Sequence, residues 1–422
     1  MKKIKSFLFE NKTNKQTIIK NTLWLILAEG ISKGGIFLIT IIIARLLGPE
    51  DFGILSFIMS FVAMFLVITD FGLTTLMVRE VSKDHKKIKD YLINLSFLKI
   101  ILGIITFLIV LIVSHFIGKD NFYITLILIY CGYAIINNFG EFIRAFFRPS
   151  EKMQYEAFLK IINGLLMIGI VVYTVFHYGD LESILYSYLI AGIISFIISI
   201  TYVGWKFKIG KIKELKLDKN ILISSLKSGI YLMGGLIFIT IFVNIDQFLL
   251  GYFGFNKELG LYSAMYKILF IFTVLSQIIV QVLIPNILKK YSFSKIKKIL
   301  KIFSIFSLIL FIISIIFGNN IIIFLFGKSY IGGYPILIIF FMTYIFTICN
   351  HLTYPLLNSL HFEKTLLLFT IIAGSINLIL NLIFIPIYLE KGAAITTLIS
   401  EIILFFLIFF KYYKTLKNYK TN

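Results

Sequence analysis

NTLWLILAEGISKGGIFLITIIIARLLGPEDFGILSFIMSFVAMFLVITDFG, Asn21 to Gly72, holds two long apolar runs parted by one short polar turn. Each run is near the ~20 residues that cross a hydrocarbon core of ~30 Å. Working outward from this pair, further runs of the same kind bring the total to twelve expected spans, placed roughly at 20–43, 53–76, 92–114, 122–143, 156–176, 184–205, 224–250, 261–284, 302–326, 332–357, 365–386 and 392–410. Pro355 is a candidate kink within the tenth span, and Pro386 is expected to end the eleventh.

The cations sort themselves across this threading. Thirty-three of the 41 Lys and Arg residues fall in alternate connecting segments, all on one side. The opposite segments carry at most one each: Arg45, Lys119, Lys257, Lys328 and Lys391. Lys33, Lys99 and Lys267 lie inside spans. Cytoplasmic loops hold the excess of basic residues, so the reading is a multi-pass protein of the cell membrane with both termini cytoplasmic.

Composition closes off other classes. A chain that is 59% hydrophobic has too little polar surface for a soluble globule of 422 residues. The net charge of +20 lies in loop clusters suited to an anionic leaflet, so no nucleic-acid partner is expected. The first apolar run starts too late and runs too long for a cleavable signal. Cys131 and Cys349 both sit inside spans and read as buried thiols. The longest connecting segment between spans, from Lys206 to about Ile223, is too short for a catalytic domain. No phosphate-binding GxxxxGK[ST] loop occurs, no histidine pair has metal-ligand spacing, and no cofactor or metal is expected. A transporter or channel remains.

The turn that opens the chain recurs. LLGPEDFGILS (Leu46 to Ser56) is matched about 207 residues later by YFGFNKELGLYS (Tyr252 to Ser263), with Gly53 set on Gly260 and Ser56 on Ser263. Both lie between the first and second spans of a six-span half. An even number of spans per half makes the halves parallel, related by a pseudo-twofold axis along the membrane normal, with the substrate path between them. The expected bundles are residues 1–210 and 211–422.

ARLLGPEDFGILSF (Ala44 to Phe57), DFGLTTLMVREVSKD (Asp70 to Asp84), EKMQYEAF (Glu151 to Phe158) and GLYSAMYKI (Gly260 to Ile268) resemble the polysaccharide-transporter branch of the multidrug/oligosaccharidyl-lipid/polysaccharide (MOP) flippase superfamily, the group holding Wzx-type flippases. The fourth-span ending, EFIRAFFRPSEKM, departs from the QG-containing version of that turn. The resemblance implies an all-α membrane protein of two six-helix bundles rocking around a central cavity, and a lipid-linked oligosaccharide as cargo. It implies no enzyme activity, membrane lipids and glycan-assembly proteins as partners, and a monomer.

Seven ionisable residues lie within spans: Glu29, Lys33, Asp70, Lys99, Asp246, Lys267 and Glu401. Each costs on the order of 2.5 to 3.5 kcal/mol at a helix centre, so they are expected to face the interior. Glu29 and Lys33 share a helix face at i and i+4, beside a small-residue face made by Gly30 and Gly34. They read either as a neutralised pair joining two helices or as a site where Lys33 meets an anionic headgroup. Lys267 is the corresponding cation of the second half, or a lysine snorkelling outward. Arg45 and Arg79 offer planar forks suited to phosphate, or simple interfacial anchors. Glu29, Asp70 and Asp246 are candidate coupling groups for a proton or sodium ion, and Asp70 and Asp246 read alternatively as helix-cap or inter-helix partners. Asn377 and Asn381 share a face, as amides that bond either sugar hydroxyls or neighbouring helices.

The expected function is a flippase moving a polyprenyl-(pyro)phosphate-linked oligosaccharide to the outer leaflet through a cationic cavity. The alternatives are a cation-coupled multidrug exporter of the same superfamily and a polysaccharide polymerase. The exporter would want acidic, aromatic pockets, and the polymerase a large external loop.

Overall fold

In lipid every backbone N–H and C=O must be satisfied within its own segment, so apolar runs of this length become helices. The computed structural model describes residues 14–207, 217–289 and 293–420, and among them there is helix and turn but no strand. The expected bundle boundary at 210/211 lies outside the described residues.

The helices are α1 (Asn14–Asp70), α2 (Leu73–Lys83), α3 (Ile88–Phe116), α4 (Asn121–Ala145), α5 (Met153–His177), α6 (Leu181–Lys206), α7 (Lys219–Tyr252), α8 (Asn256–Lys289), α9 (Phe293–Phe326), α10 (Tyr334–Ser359) and α11 (Glu363–Lys420). Ten helical segments among the described residues are long and apolar enough to cross a membrane. Two of these, Ile26–Lys83 with 58 residues and Glu363–Tyr413 with 51, have the length for two crossings each. Counted so, the segments supply all twelve expected spans.

Both double-length helices break where a turn is expected. In α1 the break is Gly48, at φ 77°, and Pro49 then restarts the helix at a position where its missing N–H costs nothing. In α11 the chain runs on through Pro386 and breaks at Leu389, at φ 54°. Pro386 therefore does not end its span, because the left-handed residue, not the proline, turns the chain.

Left-handed residues mark the internal repeat more clearly than side chains do. At the turns that the charge bias assigns to the outside stand Gly48, Gly118, Gly179, Gly254, Gly327 and Leu389, all with positive φ. Glu151 and His361 also have positive φ, and they close inward turns of one design. Glu151 N–H donates to Arg148 O (3.0 Å) and Lys152 N–H to Phe147 O (3.1 Å), while His361 N–H donates to Asn358 O (3.1 Å) and Phe362 N–H to Leu357 O (3.2 Å). Both are Schellman helix ends. From first half to second, the corresponding positions differ by about the same 207 residues as the matched turn sequences.

The chain separates into two compact units: the described residues of Met1–Ile42 with Phe61–Ile237, and Ile43–Ser60 with Phe238–Asn422. The core of the first unit is built on α2, whose Leu73, Leu76, Met77 and Val81 form one buried face. They pack among Leu95, Leu98, Phe142, Phe146 and Phe147.

In the second unit, segment 43–60 is held by the later helices. The Tyr330 hydroxyl donates to Ala44 O at 2.7 Å, and the Tyr330 ring meets Phe52 edge-on at 6.4 Å. The two copies of the repeated turn then meet reciprocally. A Cβ on Gly53 would lie 1.8 Å from Asn256 O, and one on Gly260 would lie 1.7 Å from Pro49 O. Pro49 and Asn256 are equivalent in the repeat, so the contact is self-complementary, like that across a twofold axis. Only glycine allows backbones this close.

Candidate functional site

Two connected groups of charged side chains stand in the first unit, and the fully buried Arg144 stands apart from both, donating to Ser199 Oγ at 3.2 Å. In the first, Asp70 at the end of α1 accepts hydrogen bonds from Thr74 Oγ1 (2.6 Å) and Lys99 Nζ (3.0 Å). Lys99, only 1% exposed, also donates to Asn138 Oδ1 (2.6 Å) and lies 5.1 Å from the Phe142 ring centre. A buried ammonium persists there because carboxylate, amide and aromatic face together replace its water.

The second group runs from α1 to α5 and the turn before it. Lys33 Nζ lies 3.6 Å from Glu29 Oε2, but the shorter contact to Glu29 comes from Lys160 Nζ, at 2.5 Å. Lys160 also reaches Glu156 Oε1 at 3.3 Å. Glu156, fully buried, accepts from Arg148 Nη2 (2.7 Å) and Nε (2.9 Å), a forked charge-assisted contact. Arg148 stands between two spans, where burial would lower its pKa but the Glu156 hydrogen bonds and charge outweigh it and raise it. Three cations against two carboxylates leave one excess positive charge. It ends at Lys33, which is 38% exposed.

The small-residue face beside this pair is used differently from expectation. A Cβ on Gly30 or Gly34 would meet nothing within 4 Å, whereas one on Gly35 would meet Ile168 Cδ1 at 3.0 Å. Helix α5 thus packs one step round α1, near Gly35 and Ser32, reaches Glu29 through Lys160, and leaves the Gly30 and Gly34 positions open.

In the second unit the buried carboxylate has neutral partners. Asp246 on α7 is 5% exposed. Its Oδ2 accepts from Tyr262 OH (2.7 Å) and Thr397 Oγ1 (2.5 Å), and its Oδ1 from Asn381 Nδ2. Asn381 is fixed in turn, since Nδ2 also donates to Asn377 Oδ1 (3.0 Å) and Oδ1 accepts from Thr396 Oγ1 (2.5 Å). No cation pairs with Asp246 among the described residues. Glu401 accepts from Asn350 Nδ2 at 3.1 Å.

The other expected site residues stand apart. Lys267 is half-buried and has no hydrogen-bond or ion-pair partner among the described residues. Arg45 is exposed and belongs to segment 43–60. Arg79, 53% exposed on the polar side of α2, pairs with its neighbour Glu80 at 2.9 Å. Sequence reasoning placed Lys160 and Arg148 among loop cations and left Glu156 unremarked. The i, i+4 spacing of Glu156 and Lys160 inside EKMQYEAFLK was the available signal.

Residues 18–290 match the model of the family described as "Polysaccharide biosynthesis protein". The chain belongs to that family. Comparison with curated protein sequences gives no match. Among solved structures, it is similar to the lipid II flippase MurJ in an inward closed conformation, at 17% identity and TM-score 0.73, over 92% of this chain and 87% of that one. It is also similar to the MATE multidrug transporter DinF-BH, at 17% identity and TM-score 0.65, over 96% and 98%. A third likeness is to an outward-facing multidrug resistance MATE family transporter of the MOP superfamily, at 14% identity and TM-score 0.64, over 97% and 99%. At these identities the likeness is one of fold. Family and fold together make the chain a multi-pass, all-helical membrane protein of the polysaccharide biosynthesis family, with the fold shared by MurJ and the MATE transporters.

Proposed function

We propose that the protein is a flippase that moves a polyprenyl-(pyro)phosphate-linked oligosaccharide from the cytoplasmic to the outer leaflet by alternating access, with both termini cytoplasmic. The observation that carries this reading is the ion chain ending at Lys33. A net cation at membrane depth, beside the open Gly30 and Gly34 positions, suits a phosphate headgroup. Lys33 meets the headgroup charge, Glu29 and Lys160 hold it in place, and Lys267 and Arg45 are the further phosphate contacts, whereas Arg79, exposed and paired with Glu80, serves as an interfacial anchor. The halves 1–210 and 211–422 are the bodies that alternate. Moving one charge through 100 mV is worth ~2.3 kcal/mol, so a headgroup with about two negative charges leaving an inside-negative cell gains roughly 4 to 5 kcal/mol.

Asp246 supports a second element, coupling to a proton or sodium gradient. An ionised carboxylate held only by neutral donors in an apolar unit lacks a countercharge, which a proton or a small cation supplies. Asp70 and Glu29 already have ammonium partners and are weaker coupling candidates.

The test is a gene knockout followed by analysis of lipid-linked glycan in each leaflet. The flippase reading expects glycolipid to accumulate on the cytoplasmic side. An unchanged leaflet distribution, with altered efflux of cationic drugs instead, moves the assignment to the multidrug exporter.

A further inference from the structure

Helix α4 has two faces of opposite chemistry. Gly132, Ile136 and Phe139 line an apolar groove against α3, as suits a lipid-facing surface. Tyr130, Tyr133, Asn137 and Glu141, spaced i, i+3, i+7 and i+11, fall on the other side within about 80° of one another on a helix of 3.6 residues per turn. Tyr188 on α6 completes this side. Its ring centre lies 5.2 Å from that of Tyr133 and 6.4 Å from that of Tyr130, which are themselves 5.6 Å apart. Gly192 on α6 makes room for the cluster, since a Cβ there would sit 2.8 Å from Tyr133 Cδ2.

The polar atoms on this face are unused. The three tyrosine hydroxyls, the Asn137 amide and the Glu141 carboxylate have no hydrogen-bond partner among the described residues. Tyr130, Tyr133 and Asn137 are half-buried, Tyr188 is buried behind them, and Glu141 is exposed outright. Open amides and carboxylates on a membrane-spanning helix do not face hydrocarbon, because the unmet desolvation is too costly, so this side of α4 borders water. Two half-buried aromatic rings backed by a third, next to an amide and an acid, are the groups that bind a sugar. The rings take the C–H face of a pyranose, while the polar tips exchange hydrogen bonds with its hydroxyls.

We infer that Tyr130, Tyr133 and Tyr188, with Asn137 and Glu141, form a carbohydrate-binding platform on the first unit, which contacts the glycan while the Lys33 ion chain holds the phosphate. This rests on the flippase reading and adds to it the surface that recognises sugar. The test uses full-length protein in nanodiscs and native mass spectrometry. The probes are the polyprenyl-linked glycolipid fraction extracted from knockout cells and bare polyprenyl pyrophosphate. Tyr133→Ala is expected to weaken glycolipid binding about tenfold, equivalent to ~1.4 kcal/mol, with bare-lipid binding unchanged. Tyr133→Phe keeps the ring and most of the affinity, and Asn137→Ala lowers glycolipid binding alone. Lys33→Ala lowers both lipids equally. A wild-type preference for glycolipid that survives Tyr133→Ala overturns the platform and leaves the flippase standing. A wild type that binds neither lipid overturns both.

Discussion

The two units hold their buried carboxylates in different ways. In the first, Asp70 pairs with Lys99 and Glu156 with Arg148 and Lys160, while the fully buried Arg144 donates to the neutral Ser199 hydroxyl. In the second, Asp246 is surrounded by a tyrosine hydroxyl, a threonine hydroxyl and an amide, with no cation among the described residues. A paired charge is committed to its partner, whereas a carboxylate satisfied only by neutral donors is open to a proton or a cation. Such a division suits a transporter that binds anionic cargo on one body and takes up its driving ion on the other.

The comparison breaks first at Glu156. Glu156→Ala removes the acceptor shared by Arg148 and Lys160 and leaves Arg148 without its carboxylate while Lys160 keeps Glu29, which costs about 3–5 kcal/mol. Thermal unfolding of the purified protein in detergent is expected to show a large drop in midpoint, with low yield. A midpoint near wild type means water already reaches this site and the pairing is incidental.

Asp246→Ala tests the other side with a smaller effect. It strands the donors Tyr262, Thr397 and Asn381 at about 1–3 kcal/mol, since only neutral groups lose an acceptor. Asp246→Asn, which keeps an acceptor oxygen, is expected to remain folded and to lose any response of flipping to a proton or sodium gradient in proteoliposomes. Retained gradient dependence in that variant removes Asp246 from the coupling role.

These two sites also show where sequence reading stops. The spans, the turn at Gly48–Pro49 and the repeat of Gly53 at Gly260 depend on local composition and spacing, and so were legible. The partners were not. Lys160 lies 131 residues from Glu29, and Asn381 and Thr397 lie 135 and 151 residues from Asp246. Such pairs depend on which helices pack, and apolar helices carry little pattern to say so. The sequence did put Asn377 and Asn381 on one face, yet nothing local named Asp246 as the acceptor they serve. Tyr130, Tyr133 and Tyr188 were hidden for a related reason: among 23 tyrosines, only packing separates a cluster from scattered rings.

Lys33 sharpens the comparison on function rather than stability. It is the half-exposed end of its ion chain, so Lys33→Ala should leave the melting temperature close to wild type. Flipping is expected to fall at least about tenfold, the value of a lost ~1.4 kcal/mol contact in the transition state. Lys33→Arg should keep part of the rate, because charge matters there more than shape. Full transport by Lys33→Ala at normal protein levels returns the residue to a purely structural pairing.

The smallest effects are expected where cations meet water. Arg79 is 53% exposed and pairs only with its neighbour Glu80, and exposed pairs are worth about 0–1 kcal/mol. Lys297 is exposed on the first turns of α9, where screening over a Debye length of ~8 Å blunts a single charge. Arg79→Ala and Lys297→Ala should each change the flipping rate less than about twofold and leave its acceleration by an inside-negative potential intact. Lys33→Ala and Lys267→Ala should weaken that acceleration, because an anion leaving the cell draws on charge held at membrane depth. If Arg79→Ala slows flipping as much as Lys33→Ala does, then α2 is part of the cargo path, and the contrast between paired interior charge and surface charge does not describe how this protein selects its cargo.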